Sequence, residues 1–177
     1  MVKSAYQVAT MRLHGERATS SGSTGQSCWR LIWKLEVPPR IKLFGWKVGV
    51  QALATKMNLT IRILAVDMRC DICGAVEESD VYVHFLCPLA REIWSSSGFD
   101  DALWQGGGPT ALDMVGKAAN ILSVDRLAEF MAVMWECWNS RNRFIFGKQK
   151  GWRGALAQRV ISFVQDFRAM KERSQGC

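Results

Sequence analysis

Long apolar runs are missing from this sequence of 177 residues, and so are the features of a secreted protein. No run approaches the roughly 20 apolar residues that a membrane-spanning helix needs. The start has no apolar signal-peptide core, and six cysteines are too few for a disulfide scaffold in a chain of this length. The sequence therefore predicts a protein of a reducing compartment, nuclear or cytoplasmic, with no membrane partner.

The alternation of apolar and polar residues that is typical of β-strands is also scarce, and most apolar residues recur at helical spacing. Apolar residues recur at helical spacing after Pro39, from Asp125 to about Phe144, and from Trp152 to Met170. Large aromatics at this spacing are usually core, so we expect most of the eight tryptophans to be buried. Apart from a possible hairpin near the cysteines, the sequence predicts a mostly α fold that ends in a helical hairpin.

Local signals predict where the helices begin. Pro38 and Pro39 force extended backbone just before a helix, and Pro88 suits the first turn of another. Thr110 is a candidate N-cap, and Thr55 is a second one, for a helix that runs through Ile61 and Leu64.

The chain divides into three predicted regions. Residues 1–27 comprise an N-terminal helix over residues 2–13 and a flexible Ser/Gly-rich loop. Residues 28–104 contain the segment that holds three of the cysteines, and residues 105–177 form C-terminal helices. The first 21 residues are rich in Ser and Thr with a single acid, as in a mitochondrial presequence. A docking helix and a mitochondrial presequence are both open interpretations of this start.

Charge is distributed unevenly along the chain. Residues 1–50 carry eight basic and two acidic side chains, residues 51–138 carry six and twelve, and residues 139–177 carry nine and two. Basic ends of this kind favour attraction to nucleic acid or another polyanion, although solvated surface charge is the simpler interpretation.

The segment from residue 69 to residue 94 holds three of the six cysteines and one of the two histidines. Cys70 and Cys73 form a CxxC pair followed by Gly74, which is typical of a zinc-knuckle-like turn. With His84 and Cys87 the pattern becomes C-x2-C-x10-H-x2-C, and these four side chains could complete a closed tetrahedral structural zinc site. The alternative is a bare thiol pair with His84 on the surface or in the core.

Several strings surround this segment in a characteristic order: WKLEVPPRIKLFGWKV, FLCPLAREIW and WNSRNRFIFGK. Together they resemble the zinc-binding region of plant LINE-type (non-LTR) retrotransposon reverse transcriptases, strongly over residues 2 to about 97. The resemblance implies a structural zinc and a place between a polymerase and a ribonuclease H domain. It also implies a small helical domain around the CxxC segment, carried here by a short retroelement-derived fragment.

The resemblance fails at one ligand position. Members commonly read C-x2-C-x8-H-x4-C, which places Tyr82 where the histidine is expected. If residues 82–87 form an α-helix, Tyr82 and Cys87 project about 140° apart, whereas His84 shares a face with Cys87. His84 is therefore the predicted substitute ligand, and zinc binding stays open because of Tyr82.

Catalytic patterns are missing as well. The sequence has no Y-x-D-D stretch and no Walker-type phosphate loop. Asp100 and Asp101 are adjacent acids without the strands that spread ribonuclease H carboxylates around metal ions. We predict that the chain is not an enzyme.

Two binding functions remain. The first is non-sequence-specific binding of RNA or DNA through basic residues that flank aromatic ones. The predicted contacts are Arg40, Lys42, Trp46, Lys47, Arg141, Arg143, Lys148, Lys150 and Arg153. The second is a protein-interaction or regulatory factor that captures a host protein, self-associates or interferes with another protein, with Trp152, Phe163 and Phe167 as its surface.

Overall fold

The computed structural model describes residues 30–62, 66–74, 76–106, 108–147 and 155–175. The helical elements in these ranges are α1 Pro39–Gly49, α2 Lys56–Thr60, a π-helix Tyr82–Leu86, α3 Pro88–Ser95, a short 3-10 helix Asp101–Leu103, α4 Ala111–Ile121, α5 Val124–Ile145 and α6 Leu156–Gln175. Residues 30–34 are also helical. The predicted mostly α fold is confirmed, while the predicted helix at residues 2–13 and the loop after it lie outside the described residues.

The possible hairpin near the cysteines is reduced to one antiparallel bridge between Arg69 and Glu77, and the described ranges contain no longer strand. None of the helices in these ranges is long and apolar enough to cross a membrane.

Three helix starts follow the local signals in the sequence. Pro39 and Pro88 lie in the first turns of α1 and α3, where a missing backbone N–H costs no helical hydrogen bond. At the start of α4, the Asp113 amide donates to the Thr110 hydroxyl at 3.2 Å, and the Thr110 amide donates to the Asp113 carboxylate at 3.0 Å. This reciprocal capping box satisfies two amides that would otherwise lack partners.

Helix α2 begins as predicted but is shorter than predicted. The Thr55 hydroxyl accepts a hydrogen bond from the Asn58 amide at 3.3 Å, so Thr55 is the N-cap. The helix ends at Thr60, and the Ile61 side chain is 83% exposed. Because the Ile61 side chain has no core to pack on, packing does not hold residues 61 and 62 in the helix. Leu64, where the predicted helix ends, lies outside the described residues.

Helix α5 lies at the centre of the fold and contacts α1, α3, α4, α6 and the π-helix. Phe130 in α5 is fully buried, and its ring lies 4.9 Å from that of Trp94 and 5.6 Å from that of Phe99. Among the tryptophans of the described ranges, Trp94 alone is buried, at 2% exposed, and Trp33 is 52% exposed. The other four are half-buried, and three of them pack against the core: Trp104, Trp135 and Trp138. One buried cluster extends from residue 32 to residue 164.

Helices α5 and α6 form the predicted C-terminal hairpin. Arg168 near the end of α6 pairs with Asp125 at the start of α5 at 2.6 Å. At the other end, Arg159 in α6 and Arg143 in α5 line the same cavity. The two helices are therefore antiparallel, and they bring the first turns of α6 against the second half of α5.

Candidate functional site

The cysteine loop is a tight turn closed by backbone hydrogen bonds. The Gly74 amide donates to the Cys70 carbonyl at 2.7 Å, and the Cys70 amide donates to the Val76 carbonyl at 2.9 Å. Gly74 has a φ of 69°, which a glycine adopts without a Cβ penalty. The turn places Cys70 in the core and leaves Cys73 half-buried.

A single π-helical turn sets which side chain meets the cysteines. The Cys87 amide donates to the Tyr82 carbonyl at 2.8 Å, the i to i+5 bond of a π-helix. One turn of this kind brings residues five apart onto the same face. The Tyr82 hydroxyl consequently lies 3.0 Å from the Cys73 sulfur, and the Cys87 sulfur lies 3.9 Å from that of Cys70.

His84 is turned away from the cysteines into an aromatic pocket. It is fully buried, its Nδ1 lies 2.6 Å from the Asp80 carbonyl oxygen, and its ring packs against those of Phe44 and Trp138 at 5.5 and 6.1 Å. Burial, and to a smaller extent the positive charge of Arg141, lowers the pKa of His84 to about 4, although the hydrogen bond to the Asp80 carbonyl opposes this shift. The prediction of His84 as the substitute ligand rested on α-helical geometry, which the π turn replaces.

Of the predicted ligands, Cys70 and Cys87 are therefore brought together and Cys73 lies against Tyr82, whereas His84 is not part of this cluster. Throughout the described ranges, no three His, Cys, Asp or Glu side chains form a group that could hold a metal ion. Burial raises the pKa of the Cys70 thiol and raises that of Cys87 to about 12, and the hydrogen bond to Cys73 raises the pKa of the Tyr82 phenol. A closed zinc site needs four donors, so this arrangement does not fit one.

Arg141, a predicted nucleic-acid contact, instead forms a buried ion pair. Its Nη2 lies 2.5 Å from Oε1 of Glu78 and its Nε lies 3.3 Å from Oε2, with side chains 6% and 0% exposed. The Glu78 carboxylate also accepts a hydrogen bond from the Lys56 amide at 3.0 Å, and the guanidinium stacks on Trp138 at 4.9 Å. The prediction for Arg141 is wrong because this side chain joins the cysteine region to α5 and does not reach solvent.

Two other predicted basic residues come together in one cavity. Arg40 of α1 and Arg143 of α5 line a cavity of about 450 Å³ between α1, α5 and α6, which we name the arginine groove. Its charged and aromatic lining consists of Arg40, Trp135, Glu136, Arg143, Arg159 and Phe163. The Arg40 guanidinium lies over the rings of Trp135 and Phe163, at 4.9 and 4.4 Å from their centroids.

Charge in the arginine groove is mainly positive. Glu136 is its one carboxylate, and this buried side chain accepts hydrogen bonds from Arg143 and from Ser140. Among the described residues, neither Arg40 nor Arg159 lies within ion-pair distance of a carboxylate, and both are exposed. The groove therefore combines uncompensated guanidinium charge with two aromatic rings.

The remaining predicted contacts lie elsewhere. Lys47 is exposed in the last turn of α1, seven residues from Arg40 and so on the same helical face. Lys42 lies on another face, where its ammonium donates to the Trp33 carbonyl at 2.9 Å, and Trp46 is half-buried. Lys148, Lys150 and Arg153 lie outside the described residues, as does Trp152.

Sequence reasoning missed Arg159, which completes the groove. Arg159 stands one residue before Val160 and four before Phe163 in the apolar stripe of α6. A basic residue at the edge of such a stripe lies beside the helix that the stripe contacts. That position was a usable signal, although the identity of the contacted helix was not readable from the sequence.

Comparison with known proteins assigns the chain to a family. A family model described as zinc-binding in reverse transcriptase matches residues 1–94. A protein of Arabidopsis thaliana provisionally named a ribonuclease H protein is 28% identical over 130 residues, which are 69% of this chain and 20% of that protein. The chain thus spans about a fifth of the length of the curated relative it matches, and no solved structure matches it. Because the family match covers more than half of the chain and agrees with the motifs, the protein belongs to the family of zinc-binding regions of reverse transcriptases.

Proposed function

We propose that this protein is a non-enzymatic, retroelement-derived module that binds single-stranded RNA, and that the arginine groove is its contact surface. One observation carries the proposal: three arginines and two aromatic rings converge on a cavity of about 450 Å³ that contains a single carboxylate. Neither Arg141 nor the cysteine cluster, formed by Cys70, Cys73, Tyr82 and Cys87, supports the proposal, since both are engaged within the fold.

The chemistry of the groove suits a phosphodiester chain. Arg40 contacts Trp135 and Phe163 through the face of its guanidinium, and such stacking leaves the N–H edges able to donate to phosphate oxygens. Arg159 and Arg143 add two further guanidinium groups to the same cavity. Arg40 covers the two rings of the groove, so an unpaired base would stack on them only in place of this guanidinium.

The family relationship supports the same proposal by association. The family is named for a region of reverse transcriptases, which use nucleic acid as template and product, and the Arabidopsis relative is named for ribonuclease H, an activity on RNA. The residues matched by the family model are its zinc-binding part, which supports binding and not catalysis. Fold-level association alone does not establish a ligand, so the proposal rests on the groove.

Fluorescence anisotropy with a labelled single-stranded oligouridylate tests the proposal. Contacts of phosphates with the two guanidinium groups that lack a carboxylate partner, those of Arg40 and Arg159, predict that the logarithm of the affinity falls with the logarithm of salt concentration with a slope of about −1.4. Arg40→Gln and Arg159→Gln should each weaken binding about tenfold at low salt, because each removes one charge-assisted contact.

Arg173→Gln is the matched control for Arg159→Gln. It removes the same charge from the exposed surface of the same helix, outside the groove. An equal loss of affinity in Arg173→Gln, or affinity that does not change with salt, would contradict the arginine groove as the RNA surface.

The alternative function, capture of a protein partner, has less support from α6. Val160 and Val164 turn into the core, and Phe163 and Phe167 are half-buried. The apolar stripe of α6 is thus largely used in packing against α5. A salt-tolerant complex with a protein, together with no RNA binding, would favour this alternative.

A further inference from the structure

The side chains at the cysteine cluster form two pairs with different spacings. Around a tetrahedral zinc ion with Zn–S bonds near 2.3 Å, two sulfurs stand about 3.8 Å apart, and a sulfur and an oxygen about 3.5 Å apart. The sulfurs of Cys70 and Cys87 are 3.9 Å apart, close to the first value. The Tyr82 oxygen and the Cys73 sulfur are 3.0 Å apart, which is a hydrogen-bond distance and too short for two ligands of one ion.

The turn that carries Tyr82 offers no other ligand in its place. His84 has its Nδ1 on the Asp80 carbonyl and its ring between Phe44 and Trp138. Its Nε2 is buried without a hydrogen-bond partner among the described residues, yet His84 belongs to no group of three donors there that could hold a metal ion. Moving this imidazole to the cysteines would require the π-helix to rewind and the aromatic pocket to open. A fourth ligand from within this turn is thus blocked by packing.

The cysteine loop is meanwhile held in place by bonds that need no metal. Its two edges are joined by the hydrogen bond from the Glu78 amide to the Met68 carbonyl at 2.8 Å and by that from the Cys70 amide to the Val76 carbonyl at 2.9 Å. The Glu78 side chain then anchors this edge to α5 through the buried guanidinium of Arg141. The sequence separation of 63 residues makes this a tertiary tie across the fold.

We propose that Tyr82 replaces a metal ligand in this protein and closes the cysteine cluster through its hydrogen bond to Cys73, so that the cluster keeps its shape without zinc. Three of the four donors of a zinc knuckle remain: Cys70, Cys73 and Cys87. The phenol of Tyr82 takes the place of the fourth donor and hydrogen-bonds to the sulfur of Cys73. Replacement of that one side chain by an imidazole is then the change that restores a four-donor site.

The experiment compares the wild type with Tyr82→His and Tyr82→Phe, each expressed with added zinc and purified without chelator. Zinc per chain is measured by inductively coupled plasma mass spectrometry, and Tm is measured with and without EDTA. We expect less than about 0.1 zinc per wild-type chain and no effect of EDTA, against about one zinc per chain in Tyr82→His. EDTA should then lower the Tm of Tyr82→His by at least about 5 °C.

Tyr82→Phe is the matched control, because it removes only the hydroxyl. It should bind no zinc and lose about 3 °C in Tm for the lost hydrogen bond. Near one zinc per wild-type chain that disappears in Cys73→Ser would overturn the proposal, as would a folded Tyr82→His that stays free of zinc. The wild-type measurement decides even if Tyr82→His does not fold, and none of these readouts depends on RNA binding.

Discussion

Replacement of Arg141 by methionine should destabilise the protein strongly while leaving the arginine groove intact. The Glu78 carboxylate is 0% exposed, and Arg141 supplies two of its hydrogen bonds as well as its counter-charge. Without the guanidinium, the buried carboxylate keeps only the Lys56 amide at 3.0 Å. Removal of one partner from a buried pair costs about 3–5 kcal/mol, because the other charge stays uncompensated in a medium of low polarity.

Urea unfolding followed by tryptophan fluorescence measures this loss, and thermal unfolding should show a fall of about 10 °C in Tm for a chain of this size. The double variant Glu78→Leu with Arg141→Met removes both charges and should recover most of the free energy of unfolding. Arg69→Met provides the control, since its pair with Asp67 is exposed, and it should leave the free energy of unfolding unchanged. A loss below about 1 kcal/mol in Arg141→Met, or no recovery in the double variant, would refute the reasoning.

Three further changes probe the packing around the same region, all measured by urea unfolding. Phe130→Ala should cost about 3–5 kcal/mol, because the ring is fully buried among other aromatic side chains; a smaller loss would contradict its central place. Thr110→Ala should cost about 1 kcal/mol by opening the capping box of α4, whereas a neutral result would show that Asp113 alone caps the helix. Lowering the pH from about 6.5 to about 4 should lower the free energy of unfolding by about 3 kcal/mol. In this range His84 of the unfolded chain gains a proton, which His84 of the folded protein does not bind because its pKa is lowered to about 4. The raised pKa of Asp80 opposes this decline at the low-pH end of the range. The variant His84→Phe should abolish the contribution of His84. An unchanged pH profile of the free energy of unfolding in this variant would count against His84 as the titrating group.

The sequence was most informative where structure depends on neighbouring residues. Pro88 and Thr110 mark helix starts through their own backbone and side-chain chemistry, and each lies where it was expected. Pro39, which was expected in extended backbone just before the helix, is its first residue. The helical periodicity of residues 125–144 likewise predicted α5 to within one residue at each end. Family membership was also predictable, because it rests on several strings in a fixed order.

The sequence was least informative where structure depends on distant residues or on an uncommon turn. The face on which Tyr82 and His84 lie depends on a π-helix, and periodicity at 3.6 residues per turn predicted the opposite arrangement. Arg141 was predicted as a surface contact because its partner Glu78 lies 63 positions away. Arg159 was overlooked for the same reason, since its place in the groove depends on how α6 lies on α5.

The buried core crosses the point where the family match ends. Residue 94 is the last matched position, yet Trp94 packs directly on Phe130 of α5, and Glu78 is neutralised by Arg141 near the end of that helix. A DNA segment that carried only the matched codons into another gene would encode a chain with an open apolar face and a buried acid without its counter-ion. The smallest gene fragment that encodes a folded protein must therefore extend through α5, well past residue 94, where the family match ends.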